Sequence, residues 1–411
     1  MTDSGYDIVV VGGGLVGLSL ACALKGSGYN MLVLDAAPEP KILHDNLDEV
    51  SIENGELSLC LGPRVSSLNP HSVGILQRLQ VWDLIPAVAR CPFEGMRVWD
   101  GQGTGELDFD AALTGRDWMG QIVDNAQLVS ALRHVAEGTD AISLQQPVAL
   151  KDIQHSEEGI CIELESGEIV HTNLIVGADG ANSQIRELMN LPTRQWGYGQ
   201  DALVTHVYTE KPHGGLARQC FTEQGPLAYL PMNLAEGHVS SIVWSATPVF
   251  IDHLRQLETE AVAALLADGL EGVLGKVEAV AGRFSFPLRQ RHARHYVAKG
   301  VALIGDAAHT IHPLAGQGLN LGLADADCLA KILADARLQG ESVGALNLLR
   351  QYQSARQREN LAMMAAMEGL KRLFGSGSAD ITLVRNLGLR WVQGSRLLKQ
   401  QFMRLASGEL L

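Results

Sequence analysis

The sequence predicts an α/β fold in which a nucleotide-binding unit is interrupted by a β-rich insertion and closed by helices. Three observations predict it. The chain opens on a strand-like run, a glycine-rich turn, a helical run and a second strand-like run. Its middle, residues 197–249, carries "ALVTHVYT", "PLAYLPM" and "HVSSIVWS", three candidate antiparallel strands. Beyond the strand-like "GVALIGD", the remainder to residue 411 patterns as helix.

Taken in order, "YDIVVV" reads as a strand, "GGGLVG" as a turn, "LSLACALKGSG" as a helix ending at Gly28, and "NMLVLD" as a strand. Residues 37–58 are polar and weakly patterned, which predicts a loop. A helical period returns over 70–89 through Val73, Leu76, Leu79 and Leu84, and "NAQLVSALRHVA" predicts a second such helix. The stretch from "ISLQQ" onward alternates strands and turns and finishes in a buried strand at 174–176. Residues 251–274 turn helical, and "GSGSAD" (375–380) reads as a linker.

Composition excludes several classes. Forty-six acidic residues against 32 basic ones give a net charge of −14, which is the wrong sign for a nucleic-acid surface. Six cysteines (Cys22, Cys60, Cys91, Cys161, Cys220, Cys328) form no Cys-x-x-Cys pair, so they are read as reduced thiols of a cytoplasmic protein. The thirteen histidines show no metal-ligand spacing, and no metal is expected. Residues 8–24 lack charge, but Asp3 and Asp7 precede them and three consecutive glycines interrupt them. They are read as neither secretion signal nor membrane span.

Three motifs point to one kind of ligand. In the first, Gly12-x-Gly14-x-x-Gly17 lies between strand and helix, with Asp35 ending the next strand. Gly12 permits the turn, Gly14 lets a pyrophosphate reach the backbone, Gly17 lets helix and strand pack, and Asp35 suits ribose hydroxyls. The second, "LIVGADGANSQIR", places Asp179, Gly180, Ser183 and Arg186 after a buried strand; alone, it reads equally well as an Asp-capped turn. The third, "GVALIGDAAHTIHPLAGQGLNLGLAD", ends a strand in Gly305-Asp306 and starts a helix with Gly316 and Gly318. Each helical glycine costs about 1 kcal/mol relative to alanine, so their presence implies close approach of a ligand to the main chain.

Together the motifs resemble those of the flavoprotein aromatic hydroxylases, single-component monooxygenases related to para-hydroxybenzoate hydroxylase. The resemblance implies a Rossmann-type FAD-binding domain with an inserted mixed β-sheet substrate domain and C-terminal helices. It implies that Gly12, Gly14, Gly17 and Asp35 hold the ADP half of FAD. Asp179 matches the Asp-Gly motif associated with FAD and reduced pyridine nucleotide, and Gly305 and Asp306 match the ribose site. The main chain of Gly316, Gly318, Leu319 and Asn320 would meet the flavin ring, where a helix N-terminus stabilises the negative charge of reduced flavin. Arg64, in "GPRVSSLNPHS", resembles an early arginine beside the cofactor, and Gln121, in "MGQIVDN", a glutamine near the ribityl chain.

The signature from His312 to Asp325 is similar to that of the ubiquinone-biosynthesis hydroxylases, and over nearly the whole chain, including "GSGYNMLVLD", "LARQCF" and "HVSSIVWS", the chain resembles the bacterial 2-polyprenylphenol hydroxylases that act at ring C5. This implies a flavin C4a-hydroperoxide attacked by an electron-rich phenol, with O2 as co-substrate and electrons from NAD(P)H or a separate reductase. No side chain is assigned as acid, base or nucleophile; Pro313 is expected near the substrate, and Tyr229, Pro231 and Trp244 are expected to line its site. The implied division is 1–70, 96–190 and 287–340 for the FAD-binding domain, 71–95 a helical segment near the substrate domain, 191–286 the β-rich substrate domain, and 341–411 the helical end.

Residues 371–411 hold seven basic residues (Lys371, Arg372, Arg385, Arg390, Arg396, Lys399, Arg404) against Asp380 and Glu409, with apolar residues between. Two readings stand: an amphipathic end that docks on anionic lipid at the inner membrane or on other quinone-biosynthesis proteins, or a helix packed on its own domain. "LAMMAAM" (361–367) is read as core or as a contact of a homo-oligomer. Hydroxylation of another ring position or another phenol is the alternative within enzymes, and a flavin-binding scaffold the alternative outside them.

Overall fold

Continuous apolar runs become parallel strands buried on both faces. Ile8, Val9 and Val10 in the strand Ser4–Val11 have no exposed surface, nor have Leu174, Ile175 and Val176 in Ile169–Gly177. The computed structural model describes residues 4–38, 46–156, 159–311, 317–375, 386, 388 and 391–408. In the first sheet Ile142–Gln145, Met31–Leu34, Ser4–Val11 and Ile169–Gly177 lie side by side in parallel. The last of these is shared. Its first half pairs with Gly159–Leu164, and its final three residues pair with Val301–Leu303.

The register aligns the strand ends. Val11 pairs with both Leu34 and Gly177, and Gly177 pairs with Leu303. Gly12, Asp35, Asp179 and Gly305 therefore emerge together at the carboxyl edge, where ligands of open α/β sheets bind. Helix α1 (Leu15–Ala23) and α3 (Asn125–Glu137) pack on this sheet, and α7 (Gln317–Gln339) packs on α1, its Leu333 carbonyl accepting from the Tyr29 hydroxyl at 2.8 Å. Helix α8 (Leu346–Gly375) is tied down by the Tyr352 hydroxyl, which donates to the Leu303 carbonyl at 2.8 Å.

The second sheet is larger, with 11 strands built around Thr193–Thr209, Val239–Ala246, Pro226–Pro231 and Leu216–Phe221. Helices α5 (Pro248–Gln256) and α6 (Thr259–Gly269) cover one face, enclosing Leu203, Leu227, Tyr229, Trp244, Ile251 and Leu266. A three-stranded sheet of Val65–Leu68, Gly120–Asp124 and Arg90–Phe93 joins the two units. Helix α2 (Pro70–Arg78) starts at Asn69, whose Oδ1 accepts the Ser72 N–H at 2.9 Å. It stops short of the predicted 70–89, because Gln80 adopts φ 63°.

Several boundaries differ from expectation. Within the predicted loop 37–58, Val50–Glu53 and Glu56–Leu59 form a hairpin turned by Asn54 and Gly55, both at positive φ. That hairpin and the pair Gly95–Asp100 and Glu106–Asp110 belong to the second sheet, inside segments assigned to the first unit (1–70 and 96–190). The strand Phe284–Ala293 crosses the expected 286/287 boundary and pairs along Thr193–Thr209. Met363, Met364 and Met367 are core, packed with Phe221, Ile311 and Leu321. The 376–380 part of the predicted linker lies outside the described residues. No helix among the described residues is long and apolar enough to cross a membrane, and no cluster of His, Cys, Asp or Glu among them could hold a metal.

Candidate active site

The three glycines of the first motif differ in what surrounds them. A Cβ on Gly12, at φ +110°, would lie 2.3 Å from the Ala178 carbonyl oxygen, and one on Gly17 would lie 2.0 Å from that of Gly12. These two are glycine because the turn, the second motif and α1 touch through main chain. A Cβ on Gly14 would meet nothing within 4 Å. Gly14 therefore opens a space outside the protein's own packing, at the helix start where main-chain N–H groups are unspent. Asp35 holds this turn: its Oδ2 accepts the Gly13 N–H at 2.7 Å and its Oδ1 the Ala37 N–H at 2.8 Å. Each oxygen retains a second lone pair.

The second motif contains the Asp cap that the turn reading anticipates, and more. Asp179 Oδ2 accepts the N–H groups of Gln184 (2.6 Å) and Ile185 (3.1 Å) at α4 (Gln184–Leu188), while its buried Oδ1 has no partner among the described residues. Ser183 Oγ accepts the Arg186 N–H at 3.0 Å. The Arg186 guanidinium donates to the carbonyls of Ala307 (2.7 Å) and Ala181 (2.8 Å), joining the second motif to the third. Burial and the nearby charge of Arg291 push its pKa down.

In the third motif Gly305 turns at φ +58° against Val16. Gly322 serves the same contact from α7, since a Cβ there would sit 2.7 Å from Val16 Cγ2. Asp306 next to it accepts no hydrogen bond through its carboxylate from the described residues and is exposed. Crowding by protein raises its pKa, against the opposing charges of His309 and Arg64. Arg64 lies over the Phe286 ring, 5.2 Å from its centroid. Gln121 is 8% exposed, and its carboxamide has no hydrogen-bond partner among the described residues.

Gly318 has room for a Cβ, with Ile311 at 3.9 Å, and Leu319 packs partly buried against the core. Asn320 points inward: its Nδ2 donates to the Ser67 carbonyl (2.9 Å) and its Oδ1 accepts the Asn69 N–H (3.0 Å). His312, Pro313 and Gly316 lie outside the described residues. Asn320 also borders a cavity of about 190 Å³, larger than the roughly 150 Å³ that suffices for benzene in a protein core. Val65, Phe93, Met119, Ala228, Leu230 and Val243 give it apolar walls, and Met403 of helix α9 (Arg396–Ala406) closes one side.

Tyr229, Pro231 and Trp244 do not line this cavity. Side chains alternate along a strand, so Ala228 and Leu230 face the cavity while Tyr229 and Pro231 face the other way. Tyr229 is 2% exposed and donates to the Leu266 carbonyl at 2.9 Å, and Trp244 packs edge-on against Phe250. Both are core beneath α5 and α6.

A buried charged network beside the site was missed in the sequence. Asp325, with no exposed surface, accepts from the Gly305 N–H (3.1 Å), Arg356 Nε (2.8 Å) and Asn360 Nδ2 (3.2 Å), and its Oδ2 lies 2.5 Å from His309 Nε2. Burial opposes its ionisation, but His309 and Arg356 outweigh that and hold its pKa down. The network fixes the turn that presents Asp306. The i, i+4 spacing of Arg356 and Asn360 on α8 is the one sequence signal that could have flagged it.

An adenine dinucleotide requires an open approach to a helix start and unspent polar groups along its length. Gly14, the free Asp179 oxygen, Gln121 and Asp306 meet that requirement. The model of the FAD binding domain family matches residues 5–366. The chain belongs to this family. Its cofactor is FAD, and it is an FAD-dependent monooxygenase. Among its relatives, 3-demethoxyubiquinol 3-hydroxylase of Escherichia coli is 34% identical over 99% of this chain and 100% of its own. Ubiquinone biosynthesis monooxygenase COQ6 of Homo sapiens is 34% identical over 99% and 93%. The family fold recurs in p-nitrophenol 4-monooxygenase from Pseudomonas putida, with TM-score 0.77, 17% identity and 99% of each chain covered.

Proposed function

We propose that this chain hydroxylates the aromatic ring of a polyprenylated phenol on the route to ubiquinone, using O2 and electrons from NAD(P)H or a separate reductase. The observation that carries the reading is the apolar cavity that borders Asn320 near the start of α7. Bound FAD supplies the oxygen activation; the chain supplies binding, orientation and exclusion of water. We assign Gly12, Gly14, Gly17 and Asp35 to its ADP half, Asp179, Gly305 and Asp306 to its ribose and ribityl hydroxyls, Arg64 and Gln121 to its central portion, and the 316–320 main chain to its ring. Near Asp306, Arg64 moderates the carboxylate's charge. Asn320 holds the 67–69 wall against the α7 start and so would fix the cavity wall relative to the main chain assigned to the ring.

The near-full-length resemblance to the bacterial 2-polyprenylphenol hydroxylases favours hydroxylation at ring C5. A second reading, oxidation of a demethoxyubiquinol-type ring at C3, is favoured by the name of the Escherichia coli relative. Complementing strains that each lack one quinone hydroxylase, and identifying the intermediate that disappears, separates the two. If no strain is rescued and NAD(P)H consumption does not rise with polyprenylphenol, the flavin-binding scaffold reading replaces both. The prenyl tail is matched to the cavity side closed by α9. Trp391 before α9 and Leu397 and Phe402 on it are exposed, which supports peripheral contact with a lipid surface or partner subunits.

A further inference from the structure

Most polar side chains bordering the cavity are already spent. Thr114 donates to the Ala111 carbonyl, Ser407 to that of Arg404, Asn69 caps α2, and Asn320 clamps the 67–69 strand end. Gln219 and Ser245 are different. They are 7% and 3% exposed, border the same cavity, and neither side chain has a hydrogen-bond partner among the described residues. Ser240 and Ser241, earlier on the strand that carries Ser245, have hydroxyls sealed from solvent; the Ser245 hydroxyl and the Gln219 carboxamide are not among the sealed groups. Buried polar groups are normally paired, so an unpaired carboxamide and hydroxyl in an apolar cavity mark positions where a ligand supplies the partner.

Sheet register sets their spacing. Gln219 pairs with Ala228, Ala228 pairs with Val243, and Ser245 follows on the same face one pleat further. The two positions are therefore two strands apart, about 10 Å, and offset by roughly 7 Å along the strand. Long and short side chains reaching in from those positions suit oxygens on two separate carbons of one ring. Gln219 offers both a donor and an acceptor, which a phenolic hydroxyl can satisfy together; Ser245 offers one donor to a second ring oxygen.

We propose that Gln219 and Ser245 are specificity-determining residues that bind the oxygen substituents of the aromatic ring and so set which carbon is oxidised. The inference rests on the phenol-hydroxylase reading. An apolar wall alone holds a ring without choosing its rotation, whereas two polar contacts at a fixed spacing choose one.

The test uses FAD-loaded wild type, Gln219→Met and Ser245→Ala, with a phenol carrying one isoprene unit ortho to its hydroxyl as probe. Calorimetric titration is expected to show binding weakened about 5- to 30-fold in Gln219→Met and less in Ser245→Ala. Flavin content is expected to be unchanged. Product analysis is expected to show a changed isomer ratio, or reductant consumed without hydroxylation, which a merely structural role would not produce. Binding within twofold of wild type with an unchanged isomer ratio in both variants overturns the proposal. A wild type that neither binds nor oxidises the probe sinks the phenol-hydroxylase reading itself, and the two failures are told apart by that control.

Discussion

Arg356→Leu tests the buried network behind the Asp306 turn. Arg356 is 4% exposed and Asp325 fully buried, so the substitution leaves a carboxylate in the interior with His309 as its remaining charged partner. It also removes the 3.1 Å bond to Asn360 and the contact with Glu359. Removing one member of a buried pair costs about 3–5 kcal/mol, most of it the penalty of the orphaned charge. Adding Asp325→Asn neutralises that charge and is expected to return at least about 2 kcal/mol. Urea denaturation at fixed FAD concentration measures both, since bound cofactor shifts apparent stability. A loss under about 1 kcal/mol for the single variant, or a double variant no more stable than the single, refutes the reasoning.

Gly14→Ala is expected to fold as stably as wild type and to bind FAD at least tenfold more weakly, whereas Gly17→Ala is expected to lower stability by several kcal/mol; fluorescence titration and thermal melts separate the two. Asp306→Ala loses a charge-assisted hydrogen bond, so FAD should bind about 10- to 150-fold more weakly by the same titration. Burial, with the nearby charges of His309 and Arg194, lowers the pKa of His292 to about 4, so the folded state favours its neutral form. Its stabilising contribution is complete above the ordinary value of 6.5 and is lost as pH falls toward 4. The loss is about 3 kcal/mol at most and roughly 2 after solvent screening, and His292→Gln should flatten the acid limb of a stability-versus-pH curve. Truncation after Gly375 removes α9 and should reduce co-sedimentation with anionic liposomes at least threefold while leaving flavin content intact; unchanged co-sedimentation removes the lipid-contact reading.

Local signals were the legible ones. Strand, glycine turn, helix and terminal acid sit within 35 residues, and the structure places them together because each dictates its own backbone. The 50–59 hairpin had an equally local signal in Asn54-Gly55, hidden by the polar strands around it. Sheet membership was not legible. Glu56 pairs with Val280, and no local pattern reports a partner so distant in the chain. Tyr229 and Trp244 show a subtler limit. Period-2 alternation separates the two faces of a strand, but here one face meets helices and the other an apolar cavity, so hydrophobicity does not say which is which. Asp325 was visible as the last residue of a motif, yet its partner Arg356 lies on a different helix.

Asn69 does two jobs whose combination has a cost for motion. Its side chain donates to the Ala406 carbonyl at the end of α9, while its main-chain N–H rests on Asn320 at the head of α7. Lifting the terminal helix therefore breaks a bond whose donor residue is also braced against the head of α7. A displacement of either helix is transmitted to the other through one residue.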